Sequence, residues 1–554
     1  MNSSKAKQIS FYFPLILLLL LVGGYYSLFL PGIPYEQLPG VSNGWQVAAK
    51  TPWIHLIGNL FSPFSAQFTA TDAFLAQVRV TESLIHKLIY MFFGESMTAL
   101  MIFHILTALL FAGLIYQMTI RLTQKTWIGF LTAIFLLTTP AYGWVIMEYG
   151  DYSPLDQVLL LVYFLMFLPQ FDGALSKDKD SSSPAKLAFD RFLLLAVGMI
   201  AVHAKEPNKF LIPGVSFILL FFNPQGNLWK ASRDERLKLF SLLAVTLLLA
   251  CPIFFVLNRS EGDFSWSWMG PLKNVFFYPT HEWDREKTIC LFTIKRALPV
   301  SVLSNFGFFL GWAVILCGIF LIGLFFKSRK HPGSAPQSKS AVSLPFFLLS
   351  WLVLSSCFYF IYDSGTFFRY ISWALLPFCF LAAWIIGKAI DAARGKSKLI
   401  VSVLLIAIVI YTFIDNAQHF MFIRRQLESI WVPKWTFLKK VYLDYYQKND
   451  VGIFDLYTHW AGNGDARVLK VFHYLPPTDL SEENLREERF LNEVKKSGKF
   501  YFSSTKQLSA PSGMRLVLLQ ELDLKRLTPF SRWFHNLKRK PVRPIYLYRL
   551  DVTG

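Results

Sequence analysis

Phe11-Tyr-Phe-Pro-Leu-Ile-Leu-Leu-Leu-Leu-Leu-Val-Gly-Gly-Tyr-Tyr-Ser-Leu-Phe-Leu30 carries no charge over twenty residues. A helix of that length crosses roughly 30 Å of hydrocarbon. The next comparable run begins at Ser96, so Pro31 to Glu95 form a connector far longer than a turn. Further apolar windows fall at 127–146, 154–171, 187–204, 209–223, 238–257, 300–326, 342–362, 370–390 and 397–414. With 11–30 and 96–120 this makes eleven spans, the sixth short and holding Pro213. The expected fold is therefore mainly α, a polytopic transmembrane helical bundle spanning residues 1–414.

Composition agrees. The 554-residue chain is 54% hydrophobic, 17% aromatic and only 16% charged, against about 25% charge in soluble domains. The net charge of +19 would suggest nucleic acid in a soluble protein. Here the cations gather in alternate connectors: Lys5/Lys7, Arg121/Lys125, Lys177/Lys179/Lys186, Lys230 to Lys238, Lys327 to Lys339 and Arg394 to Lys398. The positive-inside rule places those on the cytoplasmic side and removes the need for a nucleic-acid partner. The long first loop, 148–153, 205–208, 258–299 and 363–369 then face outward. An odd number of spans puts the C-terminal tail outside too. The first span follows Lys5 and Lys7 without a clear cleavage site and reads as a retained anchor, with a removed signal peptide as the alternative.

After 414 the character changes. Residues 415–447 are aromatic and basic and read as an interfacial helix. Residues 448–554 read as a small α/β domain outside the cytoplasm. Its strands are Val451–Asp455, Lys499–Ser503, Met514–Gln520 and Pro544–Arg549, and its helix is Leu485–Lys496. The five cysteines form no CxxC pair and imply no disulfide framework.

Ionisable groups at the outer ends of spans carry the chemical information, because charge near bilayer depth is costly unless paired or functional. Glu36 lies six residues past the first span, where a carboxylate can take a proton from an attacking hydroxyl. Asp72 and Glu82 compete for that role, and a solvated loop acid is the plain alternative. Arg79 either snorkels to lipid phosphates or binds a substrate phosphate. Glu148 and Asp151, in Met147-Glu-Tyr-Gly-Asp-Tyr-Ser-Pro154, can hold a sugar hydroxyl or a divalent cation, or form an ordinary turn. Lys205-Glu206-Pro207 closes the fifth span, either as an anchor or as a phosphate-facing Lys with a Glu that orients it. Arg369 offers a second cation. No HExxH, P-loop or GxSxG is present. His281-Glu-Trp-Asp284 is the one sequence cluster suggestive of metal.

Set in order, these features resemble the membrane-embedded GT-C glycosyltransferases, in particular the branch of the protein O-mannosyltransferases and their bacterial glycosyltransferase 39-like relatives. The matching parts are Glu36, Pro52-Trp53…Asn59-Leu-Phe61, Arg79, Phe93-Gly94…Phe103-His104, Pro140-Ala-Tyr-Gly-Trp144…Asp151, and Ala204-Lys205-Glu206-Pro207…Pro213. Two positions depart from the family pattern. Glu36 is followed by Gln37, where relatives carry Asp, often with a second acid. Val80 replaces a Pro.

The resemblance implies inverting transfer of a sugar from a polyprenyl-phosphate donor to a hydroxyl on a glycan, lipid or protein acceptor. Glu36 or Asp72 would be the catalytic base. Arg79, Lys205 and Arg369 would hold the leaving phosphate, and Glu148, Asp151 and Glu206 would position sugar or acceptor. No cofactor is required, and nothing forces a divalent cation. The site would lie on the outer face of a bacterial inner membrane. Two other functions fit the same spans: a flippase for a lipid-linked glycan, and an inactive GT-C-like scaffold in envelope assembly. The sequence shows no inverted repeat of the kind many transporters carry.

Overall fold

A computed structural model describes residues 3–29, 51–61, 80–94, 96–139, 142, 154–175, 184–258, 343–361 and 372–392, isolated positions from 396 to 414, and 451–453, 499–504, 507–510, 513–522 and 545–552. Helix makes up 83% of them, so the chain is mainly α. The helices are α1 (Ser3–Phe29), α2 (Trp53–Phe61), α3 (Val80–Phe93), α4 (Met97–Thr123), α5 (Thr126–Leu137), α6 (Leu155–Leu175), α7 (Pro184–Val202), α8 (Glu206–Phe222), α9 (Arg233–Asn258), α10 (Leu344–Ile361) and α11 (Ser372–Ala392). Within the described residues, α4 from Thr98 and the whole of α6 are long and apolar enough to cross a membrane. Shorter apolar stretches run over Tyr12–Ser27, Thr126–Leu137, Pro207–Phe222, Leu344–Ser355 and Ser372–Lys388. The predicted span at 300–326, the interfacial helix at 415–447 and the helix at Leu485–Lys496 lie outside the described residues.

Local chemistry sets the helix ends. The Ser96 hydroxyl accepts the N–H of Ala99 at 3.3 Å and caps α4, satisfying one of the donors a helix start leaves open. Gln124 ends it in the left-handed region (φ 58), its N–H donating to the Ile120 carbonyl. Arg121 sits in the last turn, where the helix dipole favours a cation. Within the run predicted at 127–146, α5 ends at Leu137 and Tyr142 is again helical, the other residues after Thr139 lying outside the described ones. Thr138 and Thr139 donate their hydroxyls to the carbonyls of Ile134 and Leu136, at 2.8 and 2.7 Å, and the Tyr26 hydroxyl donates to that of Leu137. The Ile134 carbonyl keeps its helical bond from the Thr138 N–H, while side-chain hydroxyls meet the Leu136 and Leu137 carbonyls at the helix end.

Packing follows residue size. α4 lies against α5, α6 and α11, and α7 against α6, α8 and α9. A Cβ on Gly198 of α7 would come within 2.6 Å of Leu249 on α9 and 3.2 Å of Tyr163 on α6. Small residues at helix crossings permit such approach. Phe164, Phe347, Trp351 and Phe380 join α6, α10 and α11, with ring centroids 4.9 to 6.0 Å apart. The opposite faces are exposed and apolar, as in Ile102, Leu106 and Leu110 of α4 or Phe189, Phe192 and Leu193 of α7. Arg191 is buried among α6, α7 and α9. Its Nε donates to Ser241 Oγ at 3.0 Å and its Nη1 to Gln170 Oε1, so its charge sits in a dipolar cradle.

A second unit holds the strands. They are β1 (Val451–Ile453), β2 (Lys499–Ser504), β3 (Met514–Leu522) and β4 (Ile545–Val552), in the order β1-β2-β4-β3. All four predicted strands are found. β1 and β2 are parallel, and the other pairs antiparallel. Tyr501 pairs with Arg549, and a bulge falls between Leu518 and Gln520. The Tyr548 hydroxyl accepts the N–H of Leu508 at 3.2 Å, and burial pushes its phenol above the usual range.

Candidate functional site

Among the described residues, a cluster of buried polar side chains lies where α7 hands over to α8. Pro207 in the first turn of α8 fits there because its missing N–H is one the helix start leaves unused. Lys205 is the residue before the helix, in extended conformation (φ −158°, ψ 158°), and does not cap it through its side chain. The Lys205 side chain is instead turned inward. It is 4% exposed, with its ammonium 5.5 Å from the centroid of the Trp373 ring in the first turn of α11. Desolvated cations are attracted to indole faces.

Asp156 supplies the opposite charge. It is 4% exposed in the first turn of α6, where the helix dipole favours an acid. It attracts Lys205 and faces Trp373. The neighbouring positions lock this arrangement. Asn208 Nδ2 donates to the Asp156 carbonyl at 2.7 Å and to the Ala201 carbonyl at 3.1 Å, tying the starts of α6 and α8 to the end of α7. Gln157 Nε2 donates to Ser372 Oγ at 2.7 Å. The Tyr142 hydroxyl sits between Gln157 Oε1 and the Ser372 carbonyl, 2.9 Å from the latter.

The segment between α1 and α4 reaches the same place. Thr81, at the start of α3, donates its N–H to the His203 carbonyl at 3.2 Å and its hydroxyl to the Ile200 carbonyl at 2.7 Å. Glu82 follows in that turn and is buried, as is His86, whose Nδ1 is 3.0 Å from the Glu82 carbonyl oxygen. His203 and Lys209 are 3% and 1% exposed, and the Lys209 charge acts on the His203 ring. Asp156 Oδ2, Asn208 Oδ1 and both ring nitrogens of His203 meet no hydrogen-bonding partner among the described residues. Buried polar atoms of this kind require a partner, from water or from a ligand. The two carbonyls facing Asn208 Nδ2 fix the amide orientation, so Oδ1 is an acceptor.

Of the sequence-predicted site residues, Lys205 and Glu82, the acid that competes for the base role, have described side chains, both buried. Glu206 is the first residue of α8, with its side chain outside the described residues. Glu36, Asp72, Arg79, Glu148, Asp151 and Arg369 lie outside them altogether. Asp156, His203, Asn208, Lys209 and Trp373 were missed by sequence reasoning. Asp156 had a usable signal, as an acid at the second position of a span-length apolar helix. Among the described residues no group of three or more His, Cys, Asp or Glu is placed to hold a metal ion.

The arrangement can do one thing well. It holds an ammonium in a fixed place at the junction of helix starts, over an indole and within the field of a buried acid. Comparison with models of known protein families gives no match. Comparison with curated proteins gives none either.

Proposed function

We propose that this protein is a membrane glycosyltransferase that moves a sugar from a polyprenyl-phosphate donor to an acceptor hydroxyl on the outer face of the membrane. The observation that carries the reading is the buried Lys205, its ammonium over the Trp373 ring, with the equally buried Asp156 in the same cluster. A charge at that depth is costly, and the sequence resemblance assigns Lys205 to the phosphate. In the proposed step the acceptor oxygen bonds to the sugar's anomeric carbon as the carbon–oxygen bond to phosphate breaks. The acceptor proton goes to Glu36 or Asp72, and the electron pair leaves on polyprenyl phosphate. Lys205, with Arg79 and Arg369, stabilises the charge that develops on the departing phosphate. Asp156 keeps the Lys205 ammonium in position.

Around this site we place a multi-pass bundle of eleven spans in the inner membrane, with the N-terminus cytoplasmic. The unit containing β1–β4 then belongs to a small outer α/β domain. The support is the alternation of cationic connectors and the lipid-like outer faces of α4 and α7.

The test uses purified protein and a panel of polyprenyl-phosphate sugars. Wild type should release polyprenyl phosphate with at least one donor. Lys205→Ala should lower kcat/KM by about 10²- to 10³-fold, the range for losing one positioned donor to a developing oxyanion. Glu36→Ala or Asp72→Ala should abolish release. Full turnover by Lys205→Ala would overturn the assignment. Passage of intact lipid-linked sugar across proteoliposomes without release would identify a flippase instead.

A further inference from the structure

The connector between α8 and α9 runs from Asn223 to Ser232, and two buried asparagines fix its course. Asn223 Nδ2 donates to the Gly226 carbonyl at 2.8 Å, and its Oδ1 accepts the N–H of Ser343, just ahead of α10, at 3.0 Å. Asn227 Nδ2 donates to the Asn223 carbonyl at 3.0 Å, while its Oδ1 accepts the N–H groups of Trp229 and Lys230 at 3.0 and 3.2 Å. The Leu228 N–H folds back to the Leu220 carbonyl of α8 at 2.9 Å. A Cβ on Gly226 would come within 2.9 Å of Leu175 at the end of α6. The turn is thus pinned to α6, α8 and α10, and its outward side chains stand in set positions.

Those side chains make an aromatic surface edged with cations. Trp229 is 71% exposed and Phe222, the last residue of α8, 62%. The Trp229 ring centroid lies 5.7 Å from that of Phe221, which lies 4.4 Å from that of Phe217. The aromatic surface therefore continues from the turn onto α8. Lys230 Nζ donates to the Pro224 carbonyl at 3.3 Å and Arg236 Nε to the Ala231 carbonyl at 2.9 Å. These partners are neutral, so they orient the cations without cancelling their charge. Arg233 is exposed in the same stretch. Of the two acids in the first turn of α9, Glu235 accepts the Ser232 N–H at 2.7 Å and Asp234 is exposed. Lys230, Arg233, Arg236 and Lys238 outnumber them.

Two observations say what covers this surface. The first is continuity with a lipid-like face. From Arg233 the exposed side of α9 runs through Leu237 and Phe240, 66% and 55% exposed, at the i+4 and i+7 spacing of one stripe. Arg233 to Leu237 is roughly 6 Å of helix, about the depth of one head-group layer. The second is the pairing of an exposed indole with an excess of cations, which suits a ligand with an anionic head and an apolar body. Charge asymmetry alone places the connector on the cytoplasmic side, but it calls for neither a pinned turn nor an exposed tryptophan.

We propose that the α8–α9 turn is a binding site for an anionic phospholipid of the cytoplasmic leaflet. The lipid phosphate sits among Lys230, Arg233 and Arg236, and its glycerol and upper acyl carbons lie on Trp229 and Phe222. Basic pockets between helices on that side suit such head groups. The site rests on the multi-pass placement of the bundle and is independent of sugar transfer.

The test is native mass spectrometry of full-length protein released from micelles holding equimolar phosphatidylglycerol and phosphatidylcholine. Wild type should retain phosphatidylglycerol at least about tenfold over phosphatidylcholine, since each cation near the membrane surface favours an anionic lipid about fivefold. Combining Lys230→Gln, Arg233→Gln and Arg236→Gln, all at exposed positions, should bring the ratio near one. Lys396→Gln, at an exposed cation outside the turn, should leave it unchanged. Trp229→Ala keeps every charge and should lower retention of both lipids severalfold. Equal retention of the two lipids by wild type, an unchanged ratio in the triple variant, an equal fall in Lys396→Gln, or undiminished retention by Trp229→Ala overturns the site. The turn would then be open to an acidic protein segment instead. Ser232→Cys, in protein with the five native cysteines replaced, reports the leaflet. An impermeant maleimide should reach it in inverted vesicles and not in intact cells. Reaction in intact cells overturns the cytoplasmic placement and the orientation of the bundle with it, whereas loss of the lipid preference alone leaves that orientation standing.

Discussion

Lys205 and Asp156 are both buried, and their opposite charges attract. An ion taken out of water without a partner costs several kcal/mol, and removing one member of a buried pair typically destabilises by about 3–5 kcal/mol. Lys205→Ala should therefore lower the thermal midpoint in detergent, since it leaves the Asp156 carboxylate buried and unpaired. Asp156→Asn added to Lys205→Ala should restore much of the loss while leaving turnover low. Thermal unfolding followed by a thiol-reactive dye checks the first expectation, and polyprenyl-phosphate release the second. If the double variant stays as unstable as the single one, the two residues are not coupled. Lys205 was legible in the sequence because a Lys-Glu-Pro at the end of an apolar run is conspicuous. Asp156 was not, because it stands inside the window that reads as the next span, and hydropathy counts one acid among many apolar residues as noise. His203, Asn208 and Trp373 are ordinary in sequence. They become informative only when the fold brings the starts of α6, α8 and α11 to the end of α7.

Helices and strands were more readable than the contacts between them. Windows chosen for apolar length coincide with α4 and α6 to α11, and alternation found β1 to β4, because both rest on local periodicity. α5 ends at Leu137 inside the run at 127–146, where threonine hydroxyls and a tyrosine from α1 meet the last carbonyls, a break that hydropathy does not register. Which helix faces pack closely is also invisible to hydropathy, and two glycines show the difference. Gly198 has Leu249 and Tyr163 against it, whereas a Cβ on Gly113 of α4 would meet nothing within 4 Å. Gly198→Ala should destabilise by about 1–3 kcal/mol through overpacking, and Leu249→Ala should relieve part of that. Gly113→Ala should instead stabilise by up to about 1 kcal/mol, since alanine is the better helix former. Detergent-challenge unfolding of the three variants measures both signs. Equal effects at the two glycines would mean that α7 and α9 are not in the close contact seen here. At the α3 start, Thr81→Val removes the hydroxyl that the Ile200 carbonyl accepts, and Thr81→Ser keeps it. The valine variant should be less stable by about 0.5–1.5 kcal/mol, the usual net worth of a hydrogen bond, with serine close to wild type in the same assay.

At the scale of the whole molecule, the reading stands on which side of the membrane each connector occupies. Cationic residues recur in every second connector, from Lys5/Lys7 through Lys327 to Lys339 and on to Arg394 to Lys398. Such residues resist translocation, so each of these connectors should remain in the cytoplasm. Lys205 lies in a connector of the opposite set, as do Glu36, Asp72, Arg79, Glu148, Asp151 and Arg369. If the alternation is right, every proposed substrate-binding group opens to one face, the face a polyprenyl-phosphate sugar reaches from the outer leaflet. Fusions make this measurable. Alkaline phosphatase, active only outside the cytoplasm, should be active when joined after Gly554 or within 258–299. It should be inactive when joined after Lys179 or Lys339. Green fluorescent protein exported by the general secretion route should give the reverse pattern. The C-terminal fusion is the decisive one, because it reports the parity of the span count. An active phosphatase after Gly554 requires an odd number of crossings from a cytoplasmic start. A fluorescent C-terminus with an otherwise unchanged pattern would put the β1–β4 unit in the cytoplasm and require an even number.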